Sequence, residues 1–216
     1  MVCLFWLGVV VARFLGRKAS FSLAPLGFRR PGGGLLAGVG LGLAVGLGAV
    51  VVSIVVNPIS VFVLDRLGYS TESTVQQPFM RGLVGWVEDN PAAAIPAIIL
   101  VVVIIGPAVE ELVFRGAVFN GLNRLGALVS SKTVGPGRTA GRASFVLSAL
   151  VSSVFFALLH LEPVLLPAIL ILAIALCALF QRTGSLLPPF VAHATFNSFA
   201  TSLIILNGLG VFDLPV

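Results

Sequence analysis

The chain has 216 residues, of which 58% are hydrophobic and 10% charged, against about 25% charged in an average soluble domain. Mean hydropathy is +1.11. This balance excludes a soluble enzyme, a disordered tail and a nucleic-acid-binding domain, because too few polar residues are present to cover a water-facing surface. The net charge of +5 does not bring nucleic acid back as a partner, since basic residues in a membrane protein mark cytoplasmic loops. The sequence predicts an all-α polytopic transmembrane helical bundle of about 5–6 spans, with the lipid bilayer as its surroundings. The length suits one such bundle without a second soluble domain.

Residues 1–16 are apolar up to Arg13. A bilayer crossing needs about 20 residues, so this is a marginal span that works only if Arg13 snorkels to the interface. No basic leader or small-residue cleavage site precedes it, so no signal peptide is expected. Residues 17–31 interleave Arg17, Lys18, Arg29 and Arg30 with Phe21, Leu23, Leu26 and Phe28, the pattern of a segment lying on the membrane. Residues 33–56 read as a span whose Gly38, Gly40, Gly42, Gly46 and Gly48 allow close helix approach. Asn57-Pro58 is expected to end or kink it. Residues 65–91 read as a polar loop of mixed charge. The next span runs from about 92 to 123 and a Gly/Ser/Arg loop follows over 124–142. Further spans are expected over 143–160, 164–180 and 186–207, with Glu162-Pro163 in a solvated turn. Cys3 and Cys177 sit in apolar runs and do not suggest a disulfide framework.

Basic residues collect in 13–30, in 115–142 and at Arg182. If spans alternate, all three regions share one side, which the positive-inside rule assigns to the cytoplasm, with the N-terminus outside. The division along the chain is expected to be 1–32 (marginal span and basic segment), 33–94 (span and external loop), 95–200 (the polar-residue domain) and 201–216 (end of the last span and tail).

The polar residues inside spans are the informative ones. Glu110 and Glu111 lie in VVVIIGPAVEELVFRGAVF, where a carboxylate near the bilayer centre costs about 2.5–3.5 kcal/mol on insertion scales. Neighbours on a helix point about 100° apart, so the two cannot share one role. Glu111 and Arg115 are spaced i, i+4 and can neutralise each other. That leaves Glu110 unpaired within its own helix, as a general base must be. Pro107 removes a helix donor just before the pair. Both histidines, His160 and His193, also fall in apolar surroundings, with Phe156 and Asn197 respectively one helical turn away. At about 1.5 Å per residue, Glu110 and His160 both lie roughly 23 Å above the basic loop, and His193 roughly 13 Å, so tilted helices can bring them together. Phe155, Phe156, Phe196 and Phe199 read as packing residues.

These positions form a pattern. Glu110-Glu111-x-x-x-Arg115, Phe156-x-x-x-His160 and His193-x-x-x-Asn197 resemble, in order, the EExxxR, FxxxH and HxxxN motifs of the CPBP intramembrane proteases, the CAAX-protease-and-bacteriocin-processing group. Residues 24–36, APLGFRRPGGGLL, weakly resemble that family's basic stretch before a span. The resemblance implies hydrolysis of a peptide bond in a membrane-associated or lipidated peptide or protein. It implies that Glu110 and His160 activate water and that His193 and Asn197 stabilise the oxyanion, with Glu111, Arg115 and Phe156 supporting. Glu and His side chains also suit Zn²⁺, in which case Glu110, His160 and His193 would be the ligands. Other intramembrane protease types fit poorly: HExxH is absent, and Asp65, Asp89 and Asp213 lie outside the spans. Gly184-Ser185 is only a dipeptide at a turn. The competing reading is a non-catalytic membrane protein, a bacteriocin-immunity or scaffold protein, or a proton-coupled carrier that uses the buried Glu and His as a relay. A carrier is expected to show broken spans in two repeated halves, and no repeat is evident.

Overall fold

The structure is a computed structural model and describes residues 23–71, 76–133 and 138–211. The expected marginal first span, Cys3, Glu72 and Asp213 lie outside the described residues. After a 3-10 turn at Ala24–Leu26 come α1 (Leu35–Arg66), α2 (Gln76–Asp89), and α3, a continuous helical run over 91–133. They are followed by α4 (Arg138–Leu158), α5 (Leu166–Thr183) and α6 (Leu187–Gly208). Five of these, all but α2, are long and apolar enough to cross a membrane. Among the described residues there is no strand. In hydrocarbon every backbone N–H and C=O must be satisfied within its own segment, and the helix does this. The outer surface is correspondingly apolar: Leu36, Leu47, Val51 and Ile54 on α1 and Leu147 on α4 are all exposed.

The chain packs α1 and α6 along one seam. Gly38, Gly42 and Gly46 are buried on α1, one turn apart on one face. A Cβ on Gly42 would stand 2.7 Å from the Pro188 carbonyl oxygen, and one on Gly46 would stand 2.6 Å from that of Ala192. Gly40 and Gly48 face open space. Only the first three glycines therefore serve close approach. Gly46→Ala is expected to destabilise by about 1–3 kcal/mol through overpacking, whereas Gly48→Ala should leave the thermal midpoint in detergent unchanged or slightly raised.

α3 is not uniform. Its α-helical pieces Pro91–Ile98, Gly106–Glu111 and Asn120–Thr133 are separated by π-helical stretches at Ile99–Ile105 and Leu112–Phe119. The Gly106 N–H donates to Val101 O, five residues back. Pro107, which has no N–H, follows directly, so the wider winding absorbs what would otherwise be a kink. The two stretches bracket Glu110 and Glu111.

The segment leading into α1 is stitched onto one end of the bundle. Gly32 N–H donates to Thr183 O, Leu186 N–H to Gly27 O, and Ser185 Oγ to Arg29 O. Asn120 and Arg124 of α3 both donate to Pro25 O. The ends of α3 and α5 and the start of α1 thus meet at one end, where Arg29, Arg30, Arg124 and Arg182 lie.

Four expectations are corrected. Helix α1 does not stop at Asn57-Pro58 but runs on to Arg66, because one missing N–H is cheaper inside an apolar helix than an unwound backbone in lipid. The polar loop at 65–91 contains α2, whose Leu83, Val84 and Val87 pack on Ala94 and Ile98 of α3; its apolar residues recur at helical spacing within a charged segment. The loop at 124–142 shrinks, since helix covers both 120–133 and 138–158. Glu162 is not solvated: it is 7% exposed, and its Oε2 has no hydrogen-bond partner.

Candidate functional site

The three motif helices converge on a buried charge cluster. Arg115 is fully buried and Glu111 is 1% exposed. Arg115 Nη1 donates to Glu111 Oε1 at 2.8 Å, across the i, i+4 spacing. Arg115 Nη2 donates to the Ala173 carbonyl of α5 at 3.3 Å, and its guanidinium sits 4.4 Å over the Phe156 ring. The same Glu111 Oε1 is 2.8 Å from His193 Nδ1. A carboxylate paired with Arg accepts only, so His193 carries a proton on Nδ1 and presents Nε2 on the opposite edge of its ring. His160 is arranged alike. It lies in the turn just past α4, and its Nδ1 is 2.8 Å from Phe156 O. A carbonyl accepts only, so Nδ1 is again the protonated nitrogen and Nε2 is left with its lone pair.

Phe156 organises the cluster. Its ring is 4.7 Å from that of His160 and 5.6 Å from that of His193, edge-on to the latter, and 5.0 Å from Phe114 in a T-shaped pair. It is buried in the core with Val113, Ile169 and Ala173.

Above this floor lies a cavity of about 650 Å³. Glu110, His160, His193, Asn197 and Phe156 all line it. Glu110 is 26% exposed at its side chain, and its Oε2 stands 3.7 Å from His193 Nε2. That is too long for a direct hydrogen bond and close enough to share a proton through a small movement or one water. Asn197 Nδ2 donates to Val102 O at 3.0 Å. Val102 lies in the first π-helical stretch, so one amide hydrogen of Asn197 braces the helix that carries Glu110, and the other remains available.

Spacing along the sequence left three features unseen. Glu111 also holds His193, a contact between residues far apart in sequence, for which no local signal exists. Asn57 and Ser53 of α1 line the same cavity, and Asn57 Oδ1 is buried without a partner; a lone amide in an apolar span was the available signal. Phe196 and Phe199 line the cavity too, rather than serving only as packing, while Phe155 faces outward.

Among the described residues no group of three His, Cys, Asp or Glu side chains is placed to hold a metal ion. His193 and His160 each hold Nδ1 in a hydrogen bond, to Glu111 and to Phe156 O, and keep Nε2 toward the cavity, the usual arrangement of an imidazole that binds a metal.

A family model for type II CAAX prenyl endopeptidases, Rce1-like, matches residues 92–199, half of the chain. The chain belongs to this family. The family segment holds all three motifs and thus every residue of the buried cluster. Among curated proteins, the chain is 30% identical over 116 residues to the membrane-embedded CAAX protease MroQ of Staphylococcus aureus (strain USA300), covering 54% of this chain and 42% of that protein. It is 29% identical over 106 residues to the putative membrane peptidase YdiL of Bacillus subtilis (strain 168), covering 49% and 36%. The chain thus spans about two fifths of the length of these relatives. No solved structure matches it.

Proposed function

We propose that this Rce1-like protein is an intramembrane endopeptidase that cleaves a membrane-associated or lipidated peptide, acting in the plasma membrane of a prokaryote. The observation that carries the reading is the shared cavity. One carboxylate outside the buried ion pair and two imidazoles with protonated Nδ1 line it, and an amide stands beside them.

In the proposed reaction a water lies between Glu110 and His160 Nε2. Glu110 takes its proton as the oxygen attacks the peptide carbonyl carbon, and the carbonyl electron pair moves onto oxygen. The free amide hydrogen of Asn197 and a protonated His193 Nε2 face that oxyanion. Donation from Nε2 requires that ring to carry a proton on both nitrogens, and Glu111 accepts from its Nδ1. The C–N bond then breaks, and the proton held by Glu110 passes to the leaving nitrogen. Products are a carboxylate end and an amine end.

The test compares membrane proteomes of cells carrying the wild type and Glu110→Ala. An uncut peptide should accumulate with the variant while the protein still inserts; undiminished cleavage would sink the assignment. Asn197→Ala is expected to slow hydrolysis by about 10²–10³ through loss of an oxyanion donor. It should also cost about 1–3 kcal/mol, because Val102 O loses its partner. Rates on a membrane-anchored reporter and detergent melting separate the two effects.

A further inference from the structure

A backbone unwound for cleavage inside an apolar cavity exposes N–H and C=O groups that must find partners. Most of the cavity wall offers none. Away from Glu110, His160, His193 and Asn197 it is built mainly of apolar side chains such as Phe79, Leu83 and Ile204. Three polar side chains interrupt that wall, Ser53 and Asn57 of α1 and Thr201 of α6. Ser53 is already engaged, its Oγ donating to Val50 O at 2.8 Å. Asn57 Oδ1 and Thr201 Oγ1 are buried and have no hydrogen-bond partner among the described residues.

Neither is the rule for its helix. Thr195, Ser198 and Ser202 of α6 all turn their hydroxyls onto the carbonyl one turn earlier. Thr201, 2% exposed, does not. On α1 the two serines flanking Asn57 are satisfied by their own helix in the same way. A buried amide or hydroxyl without a partner is costly in apolar surroundings, and polar side chains kept at membrane depth mark functional contacts.

Their placement suits a chain leaving the catalytic cluster. His193, Asn197 and Thr201 are spaced i, i+4, i+8 on one face of α6. At about 1.5 Å per residue, Thr201 is about 6 Å beyond Asn197. Helix α1 runs parallel beside it, since a Cβ on Gly42 would meet Val191 and one on Gly46 would meet Thr195. Carried on at that register, Asn57 stands about one turn beyond Thr201.

Resting on the protease reading above, we infer that Asn57 and Thr201 form a subsite for the substrate's main chain. The substrate lies extended across them. At about 3.3 Å per residue, the two groups meet it about two to four residues from the bond that is cut. An amide donates and accepts at once, the complement of a peptide group, and a hydroxyl does either. A half-turn of the Asn57 amide, or exchange between the two χ1 rotamers open to a helical Thr, aims either group into the cavity. Because both read backbone, the subsite selects an unwound segment rather than particular side chains. Asn57 lies outside the family segment 92–199, so this contact is a contribution of α1.

The probe is a synthetic peptide spanning the cut point of the peptide that accumulates with Glu110→Ala, cleaved by the full chain in detergent. Asn57→Leu should raise KM about 5–20-fold with kcat nearly unchanged, and Thr201→Val should raise it about 2–10-fold. Neither should lower the melting midpoint, because the folded protein loses no hydrogen bond. Ser60→Ala, whose residue does not border the cavity, should match wild type. A series of probes then replaces each amide within four residues of the cut point by an ester, which removes one N–H. At one position the ester should raise KM for the wild type and not for Asn57→Leu. The inference is overturned if both variants keep the wild-type KM, if their melting midpoints fall, or if every ester acts alike on wild type and Asn57→Leu. If no peptide accumulates, or Glu110→Gln cleaves the probe as fast as wild type, the protease reading has failed and the subsite falls with it. If Glu110→Gln is inactive and Asn57→Leu and Thr201→Val behave as wild type, only the subsite falls.

Discussion

Replacing Glu110 by glutamine is expected to slow cleavage of a membrane-anchored reporter by about 10²–10⁴ without unfolding the protein, the range set by loss of a positioned general base. Glutamine keeps the size and the hydrogen-bonding oxygen but cannot take a proton from water. Stability should change little, because Glu110 is partly exposed and its contact with His193 is 3.7 Å long. Removing His193 as well should slow the reaction by much less than the product of the single effects, since neighbouring groups that act on one transition state are not additive. A Glu110→Gln protein that retains its rate, or one that loses rate and melting temperature together, contradicts the assigned role. The matched control is Glu111→Gln. It weakens the contacts to both Arg115 and His193, so both rate and melting midpoint should fall.

Arg115→Ala is expected to be the most destabilising single change in the described chain. Arg115 is fully buried, bonds Glu111 and the Ala173 carbonyl, and covers the Phe156 ring. Removing one partner of a buried ion pair leaves the other uncompensated, at a cost of about 3–5 kcal/mol. The cavity left by the side chain adds to this. Arg115→Lys keeps the charge but has no planar fork to bridge Glu111 and Ala173 O, so an intermediate loss is expected. The double variant Arg115→Met/Glu111→Gln, which removes both charges, should recover part of the stability lost in Arg115→Ala and none of the activity, because it takes from His193 the carboxylate that Arg115→Ala leaves in place. Thermal unfolding in one detergent, with reporter cleavage measured in parallel, checks all three. Equal melting of Arg115→Ala and wild type would show that the pair is not structural.

Much of this arrangement is written in local sequence. The spans follow from unbroken apolar runs, and the Glu111–Arg115 pair follows from i, i+4 spacing within one helix. The motif residues stand out because charge is so scarce in the chain. Helix α2 escaped notice because a short amphipathic helix at a membrane surface carries enough charge to resemble a loop. Pro58 does not end its helix, because the rule that proline ends helices is calibrated in water, where unwound backbone can find other partners. Glu162 misled for a related reason: a Glu-Pro pair after a span reads as a solvent turn, yet the α4–α5 connection folds it under.

Composition and spacing suffice to place the chain in a bilayer as an all-α bundle, to locate the five described apolar helices to within their ends, and to single out the few polar side chains inside them. These follow from the energy of placing single groups in hydrocarbon, which depends on composition and spacing alone. That Glu111 orients His193, that Asn197 braces the wide turn preceding Glu110, and that one cavity lies over them emerges only from the packing of the helices. Those are contacts between helices distant in the chain, set by how the glycine seam of α1 and the π-helical turns of α3 let the helices approach, and no local pattern encodes them.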